Sequence, residues 1–283
     1  MSGSNRLRPI LLGPVPSGAR MADDPGLGET LLALCMIGLG VRGWIYGDLA
    51  GVWQHLPVAH LPAEGGIALA VALVEFASGL GLLVRRTAPA AAVALVALLA
   101  LWTLLLKLPG VLAMPGMEAT WLGVAEITLI LAGGWTLMGL RLRHEGGNRG
   151  ARLLFALSLL PIGLAHFVYA PQTVALMPAW LPWHLAWAWF TGAASLAAAA
   201  AVLLGLLPRL AVALESAMLS IITLVIWLPR LLAAPGNDNW TAFLMSSAIA
   251  CGAWAVLDGY RGAPLWVVAG PMRLAPAPLP RQA

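Results

Sequence analysis

Thr103-Leu104 through Leu108-Pro109-Gly110-Val111-Leu112-Ala113-Met114-Pro115-Gly116 reads position for position against Thr223-Leu224 through Leu228-Pro229-Arg230-Leu231-Leu232-Ala233-Ala234-Pro235-Gly236, about 120 residues further on. Each copy stands where a long apolar run ends. Working outward, other pairs recur at nearly the same spacing: Pro57 with Pro178, Pro62 with Pro182, Tyr46 with Tyr169, Trp121 with Trp240, and Gly134-Trp135 with Ala253-Trp254. A repeat of this kind has to be read before any fold, because it sets the architecture. It divides the chain into two membrane halves.

The composition says which solvent the chain is built for. Of 283 residues, 60% are apolar and 10% charged, where a soluble domain carries about 25% charged residues. A bilayer core takes roughly 20 apolar residues per helix, and eight stretches meet or approach that length: about 31–48, 65–84, 88–108, 119–140, 152–169, 185–207, 209–228 and 241–258. The runs are too long for strands and lack the alternation of a membrane barrel. The expected fold is an all-α integral membrane protein, with eight transmembrane helices arranged as two parallel-repeat four-helix bundles. Its parts read as an N-terminal cytoplasmic segment 1–30 without fixed structure, a first repeat 31–141, a cytoplasmic linker 142–151, a second repeat 152–258 and a Pro-rich cytoplasmic tail 259–283. The pI near 9.7 reflects scattered loop arginines without a basic face, so nucleic acid is not an expected partner.

Arginines orient the bundle. The N-terminus, 85–87, 141–151, 208–209 and the C-terminal tail hold almost all of them, whereas the opposite loops carry only Lys107 and Arg230. Positive residues mark the cytoplasmic side, so both termini are expected there, in a bacterial-type inner membrane. An even number of spans per half gives the halves the same orientation, about an axis along the membrane normal. The outer face gathers Trp44, Trp53, Trp121, Trp180, Trp183, Trp187, Trp189, Trp227 and Trp240, a headgroup-level belt.

Ionisable residues at membrane depth are functional-site candidates by default. Arg42, Glu75, Glu126, His166 and Glu215 fall inside the spans. Arg42 and Glu126 lie at similar depths below the outer surface and can pair across the first and fourth helices, either to fix packing or to meet a ligand. Glu75 sits near the midplane and is expected to hold its proton at neutral pH, facing the interface between the bundles opposite the helix of Ser195. There it serves either as a hydrogen-bonded core carboxyl or as a partner for a proton or a quinone-type carbonyl. His166 reads either as a satisfied core histidine or as a ligand contact. His55, His60 and His184 lack the spacing of a helical metal pair. Cys35 and Cys251 fall inside spans, far apart in sequence, and read as two buried thiols without a disulfide. No nucleotide, zinc or nucleophile motif is present, and Ile10-Leu11-Leu12 is too short for a signal-peptide core. Met21-Ala22-Asp23-Asp24 reads as a natural start.

Val74-Glu75-Phe76-Ala77-Ser78-Gly79-Leu80-Gly81-Leu82-Leu83-Val84-Arg85-Arg86-Thr87-Ala88-Pro89-Ala90-Ala91 resembles the second-helix signature of DoxX-like membrane proteins, and Gly163-Leu164-Ala165-His166-Phe167 resembles that family's first-helix Gly-x-x-His motif. The resemblance covers roughly residues 30–258 as two copies of a unit the family usually has once. The first copy has Glu75 and Gly43 where the second has Ser195 and His166, so neither copy holds both polar residues. The resemblance implies a non-catalytic or quinone-associated subunit of a membrane redox or stress-response assembly, with Arg42, Glu75, Glu126 and His166 as ligand-binding candidates and other membrane or redox proteins as partners. A small-solute permease and a structural scaffold are the alternatives. Against the permease, only Pro161 interrupts a span, with no broken span matching it in the other half.

Overall fold

The computed structural model describes residues 25–49, 64–143, 145–266 and 268. Eight helices in it are long and apolar enough to cross a membrane: α1 (Leu27–Tyr46), α2 (Glu64–Leu83), α3 (Ala88–Ala113), α4 (Glu118–Arg141), α5 (Glu145–Val168), α6 (His184–Leu204), α7 (Pro208–Ala233) and α8 (Asn237–Asp258). A short helix, Ala170–Leu176, lies between α5 and α6. Among the described residues the only β pairing is one isolated bridge, Leu206 with Val268. The protein is an all-α, multi-pass membrane protein.

Local chemistry sets several boundaries. Gly47 follows α1 at φ 68°, and its N–H bonds back to the Gly43 carbonyl at 2.9 Å. Gly205 closes α6 at φ 69°. Both use the left-handed conformation that glycine adopts without a Cβ penalty. The α5 helix starts at Glu145, inside the stretch read as a linker, so the described turn before it is Leu142 and Arg143. Gly150 permits this extension, because a Cβ there would collide with the Trp135 ring of α4.

The stretches that opened the sequence reading have their own geometry. α3 and α7 do not stop at residues 108 and 228; they run on to Ala113 and Ala233. In each, one turn is π-helical, Thr103–Lys107 and Thr223–Trp227, closed by i→i+5 bonds from Leu108 N–H to the Thr103 carbonyl and from Leu228 N–H to the Thr223 carbonyl. The cause is the proline that follows. An α-helix through Pro109 would press the ring on the Leu105 carbonyl and leave that carbonyl without its donor, and the wider turn relieves both. Thr103 and Thr223 each bond back to the carbonyl four residues earlier, at 2.8 and 2.9 Å. Both spans are continuous, and each carries a π-helical distortion at the matching place, followed by apolar residues that continue past the proline.

Packing runs around a ring. Each helix lies against the next, α1 on α2 through α7 on α8, and α8 returns to α1. α4 and α8 also meet across the middle. They cross with backbones in contact: a Cβ on Gly133 would fall on the Gly252 carbonyl and Cα. Small residues at such crossings let membrane helices gain dispersion contacts at close range. The eight spans thus share one continuous packed core, with Leu32, Leu95, Leu129, Phe155, Leu159 and Ala253 fully buried. At the face opposite the chain ends, Trp44, Trp121, Trp180, Trp183, Trp187, Trp189 and Trp240 are all exposed. Trp53, His55, His60, Met21 and most of both terminal segments lie outside the described residues.

Candidate functional site

The four sequence-derived candidates are distributed over three places. Arg42, near the end of α1, is buried and ion-paired with Asp48. Its guanidinium also donates to the Asp48 carbonyl at 3.0 Å and to Asn237 Oδ1 at 2.5 Å, and Asn237 Nδ2 in turn donates to Asp48 Oδ2 at 2.7 Å. This knot ties α1 to the start of α8. The expected Arg42–Glu126 pair is not formed. Equal depth does not make neighbours: α1 packs on α2 and α8, whereas α4 packs on α3, α5 and α8.

Glu75 is 3% exposed on α2, and its Oε1 has no hydrogen-bond partner. The Arg42 charge acts on it from α1. The expectation that Glu75 faces the helix of Ser195 is also overturned. α2 packs principally on α1 and α3, while α6 packs on α5 and α7. Ser195 has its own partner, donating to Glu215 Oε1 on α7 at 2.8 Å. His166, half-buried on α5, shares a 3.1 Å hydrogen bond with Thr191 Oγ1 of α6. His184 is held locally, its Nε2 lying 3.1 Å from the Pro178 carbonyl.

Glu126 belongs to a cluster that includes a residue read as a loop cation. Lys107 is only 4% exposed, at the end of the α3 π turn. It acts electrostatically on Glu126, as does Glu118 at the start of α4. Glu118 and Glu126 lie two turns apart on one face of that helix. Both carboxyl oxygens of Glu118 are buried and without a hydrogen-bond partner. Lys107 was misplaced because Pro109 was read as the end of the span; the apolar Val111-Leu112-Ala113 beyond it was the available signal. Glu118 looked like an ordinary acidic residue in a helix's first turn, which the helix dipole favours.

Glu118 opens onto a groove of about 410 Å³ lined by Gly116, Glu118, Trp121, Leu160, Pro161, Leu164 and Leu196. α4, α5 and α6 form its walls. Leu160, Leu164 and Trp121 are 40%, 48% and 45% exposed on its flanks, so in a bilayer the groove faces acyl chains. The rim near Glu118 is fixed by Ala119 N–H donating to Tyr169 Oη at 3.1 Å and by Trp121 Nε1–H donating to the Pro115 carbonyl at 2.9 Å. Pro161 shapes the opposite wall, since it removes one bond of the α5 ladder. A groove that is apolar along its length, with Glu118 lining one end, matches an amphipathic molecule entering sideways from the membrane.

Comparison with protein-family descriptions, curated proteins and solved structures returned no match to this chain.

Proposed function

We propose that this chain is a DoxX-like protein built by tandem duplication, seated in a bacterial-type inner membrane with both ends in the cytoplasm, and that it serves as a quinone-associated, non-catalytic subunit of a membrane redox assembly. The observation that carries this reading is the bilayer-facing groove lined at one end by Glu118, whose buried carboxyl oxygens have no hydrogen-bond partner. A quinone has the matching polarity. Its carbonyl head accepts a hydrogen bond from a carboxylic acid, and its tail is as apolar as Leu160, Leu164 and Leu196. Matched contacts support the duplication: the paired π turns, and the close approach of Gly133 and Gly252 at equivalent places on α4 and α8. The resemblance of residues 74–91 and 163–167 to DoxX-like helices supports the family and the redox setting.

Purification in mild detergent followed by mass spectrometry of co-purifying lipids and proteins tests the reading. Bound quinone above the level of an unrelated membrane protein is expected, together with a partner protein. Replacing Leu164 by Trp should fill the groove and remove the quinone. Absence of quinone in the unaltered protein would sink the proposal.

The permease reading gains from the π turns in corresponding spans. It loses more from the α4–α8 crossing, which fills the middle of the ring with backbone-close contacts where a path between the halves would run. Uptake of small solutes into proteoliposomes would revive it.

A further inference from the structure

The chain has two cysteines, and the fold brings them to one seam. Cys35 lies on α1 and Cys251 on α8, both as free thiols. These helices are the first and last of the ring and run antiparallel. Gly28, Leu32, Cys35 and Leu39 form one stripe of α1, with the four-three-four spacing of a packed face; all are buried. Leu244, Ala248, Cys251 and Ala255 form the matching stripe of α8. Two contacts fix the register. Gly28 lies so close to the Trp254 carbonyl that a Cβ would collide with it, and further along Cys35 Sγ donates to the Leu244 carbonyl at 3.3 Å. Cys251 sits between these two points. Helical side chains lean toward their own N-terminus, so in an antiparallel pair the two thiols lean toward one another. Cys251 is the neighbour that acts most strongly on Cys35.

We propose that Cys35 and Cys251 are a redox-active pair that closes to a disulfide across α1 and α8. A disulfide needs Cα atoms about 4.4–6.8 Å apart, and the close approach of the two backbones at Gly28 and Trp254 favours such a separation along the seam. In the reaction both S–H bonds break and one S–S bond forms. Two electrons and two protons leave for a two-electron acceptor, a lipid-soluble quinone that becomes the quinol. The dithiol rests on the seam geometry alone; only the identity of the acceptor rests on the quinone reading above. Closure joins the ends of the ring covalently, so the first and last helices can no longer part.

Membrane vesicles containing the full chain, with a protease site inserted after Arg143, test the proposal. Vesicles are treated with diamide, an azo oxidant that takes the two hydrogens of a dithiol, or with a short-chain benzoquinone. They are then denatured and alkylated with a maleimide that adds a large mass per thiol. Two adducts per chain are expected before diamide and none after, with both restored by dithiothreitol. After proteolysis the halves should stay joined on a non-reducing gel only in the oxidised sample, and separate in the variants Cys35→Ser and Cys251→Ser. Two adducts surviving diamide, or halves that separate regardless of oxidation, would overturn the dithiol. Closure by diamide but not by the benzoquinone would overturn the acceptor and leave the dithiol standing.

Discussion

Under the proposed duplication, the first and last four helices share one geometry and differ in the chemistry placed on it. At the end near the chain termini, α1 meets α4 through Glu29 and Arg141, a two-pronged ion pair with one arm of 2.8 Å. At the matching place α5 meets α8 through Arg152 stacked over the Tyr260 ring at 3.9 Å. Burial raises the Tyr260 phenol above its ordinary pKa, against the pull of Arg152, and the ring stays neutral beneath the cation. Further in, Gly43 of α1 faces Ala72 of α2, whereas His166 of α5 faces Gly192 of α6. Side-chain volume has moved from one helix to the other without changing the crossing. Between the second and third spans the first run buries Glu75 and Leu95, and the second buries Ser195 and Glu215. One carboxyl is kept in each, on opposite helices. Packing constrains summed volume and backbone approach, and leaves charge free to be redistributed.

The largest contrast should appear at the ends. Arg141→Met leaves Glu29, 4% exposed, as an uncompensated charge and should cost about 3–5 kcal/mol, most of it recovered when Glu29→Leu is added. Tyr260→Leu removes the cation–π contact and some buried ring volume, while Arg152 still donates to the Gly259 carbonyl, and should cost about 2 kcal/mol. Thermal unfolding in detergent reads both, and equal losses in the two would break the contrast.

The central crossing comes next. Gly133→Ala should destabilise by about 1–3 kcal/mol through overpacking, since its new Cβ meets Gly252 backbone that cannot step aside. The neighbouring Gly134→Ala should be nearly silent, because its Cβ would meet only side chains at ordinary distances of 3.5–3.7 Å. If both variants unfold alike, the α4–α8 crossing is wrongly placed.

The exchanged volumes give a rescue test. Gly192→Ala should be destabilising, its Cβ meeting the Gly163 carbonyl at 2.7 Å and His166 Cβ and the Phe167 ring at 2.8 Å, and partly restored by His166→Gly, which removes one of these contacts. Strictly additive effects of the two changes would mean that the helices do not share this contact. The smallest difference concerns the carboxyls. Ser195→Ala strips a bonded partner from Glu215 and should cost about 1–3 kcal/mol. Glu75→Met removes an oxygen that already lacks a partner and should be neutral or slightly stabilising.

Span number and the tryptophan-rich face were legible because each follows from composition along one chain. The Arg42–Glu126 pairing was not. Depth is a one-dimensional quantity, whereas neighbourhood depends on the order of helices around the ring, and Asp48 with Asn237 of α8, rather than α4, supply the Arg42 partners. The position of Lys107 was obscured by a true rule, that proline ends helices, which a π turn circumvents. Glu118 became visible only when α5 and α6 closed the groove beside it. The hydrogen bond of Cys35 to the Leu244 carbonyl needed the first and last spans to meet, and sequence distance gives no hint of that.

The groove itself is tested most directly by photolabelling membranes with a photoreactive quinone analogue and sequencing the labelled peptides. Label should concentrate on the segments around Glu118–Trp121 and Leu160–Leu164, be displaced by unlabelled quinone, and vanish in Leu164→Trp. Label spread over other lipid-facing helices, or unchanged by Leu164→Trp, would contradict the assignment of the groove as a quinone site.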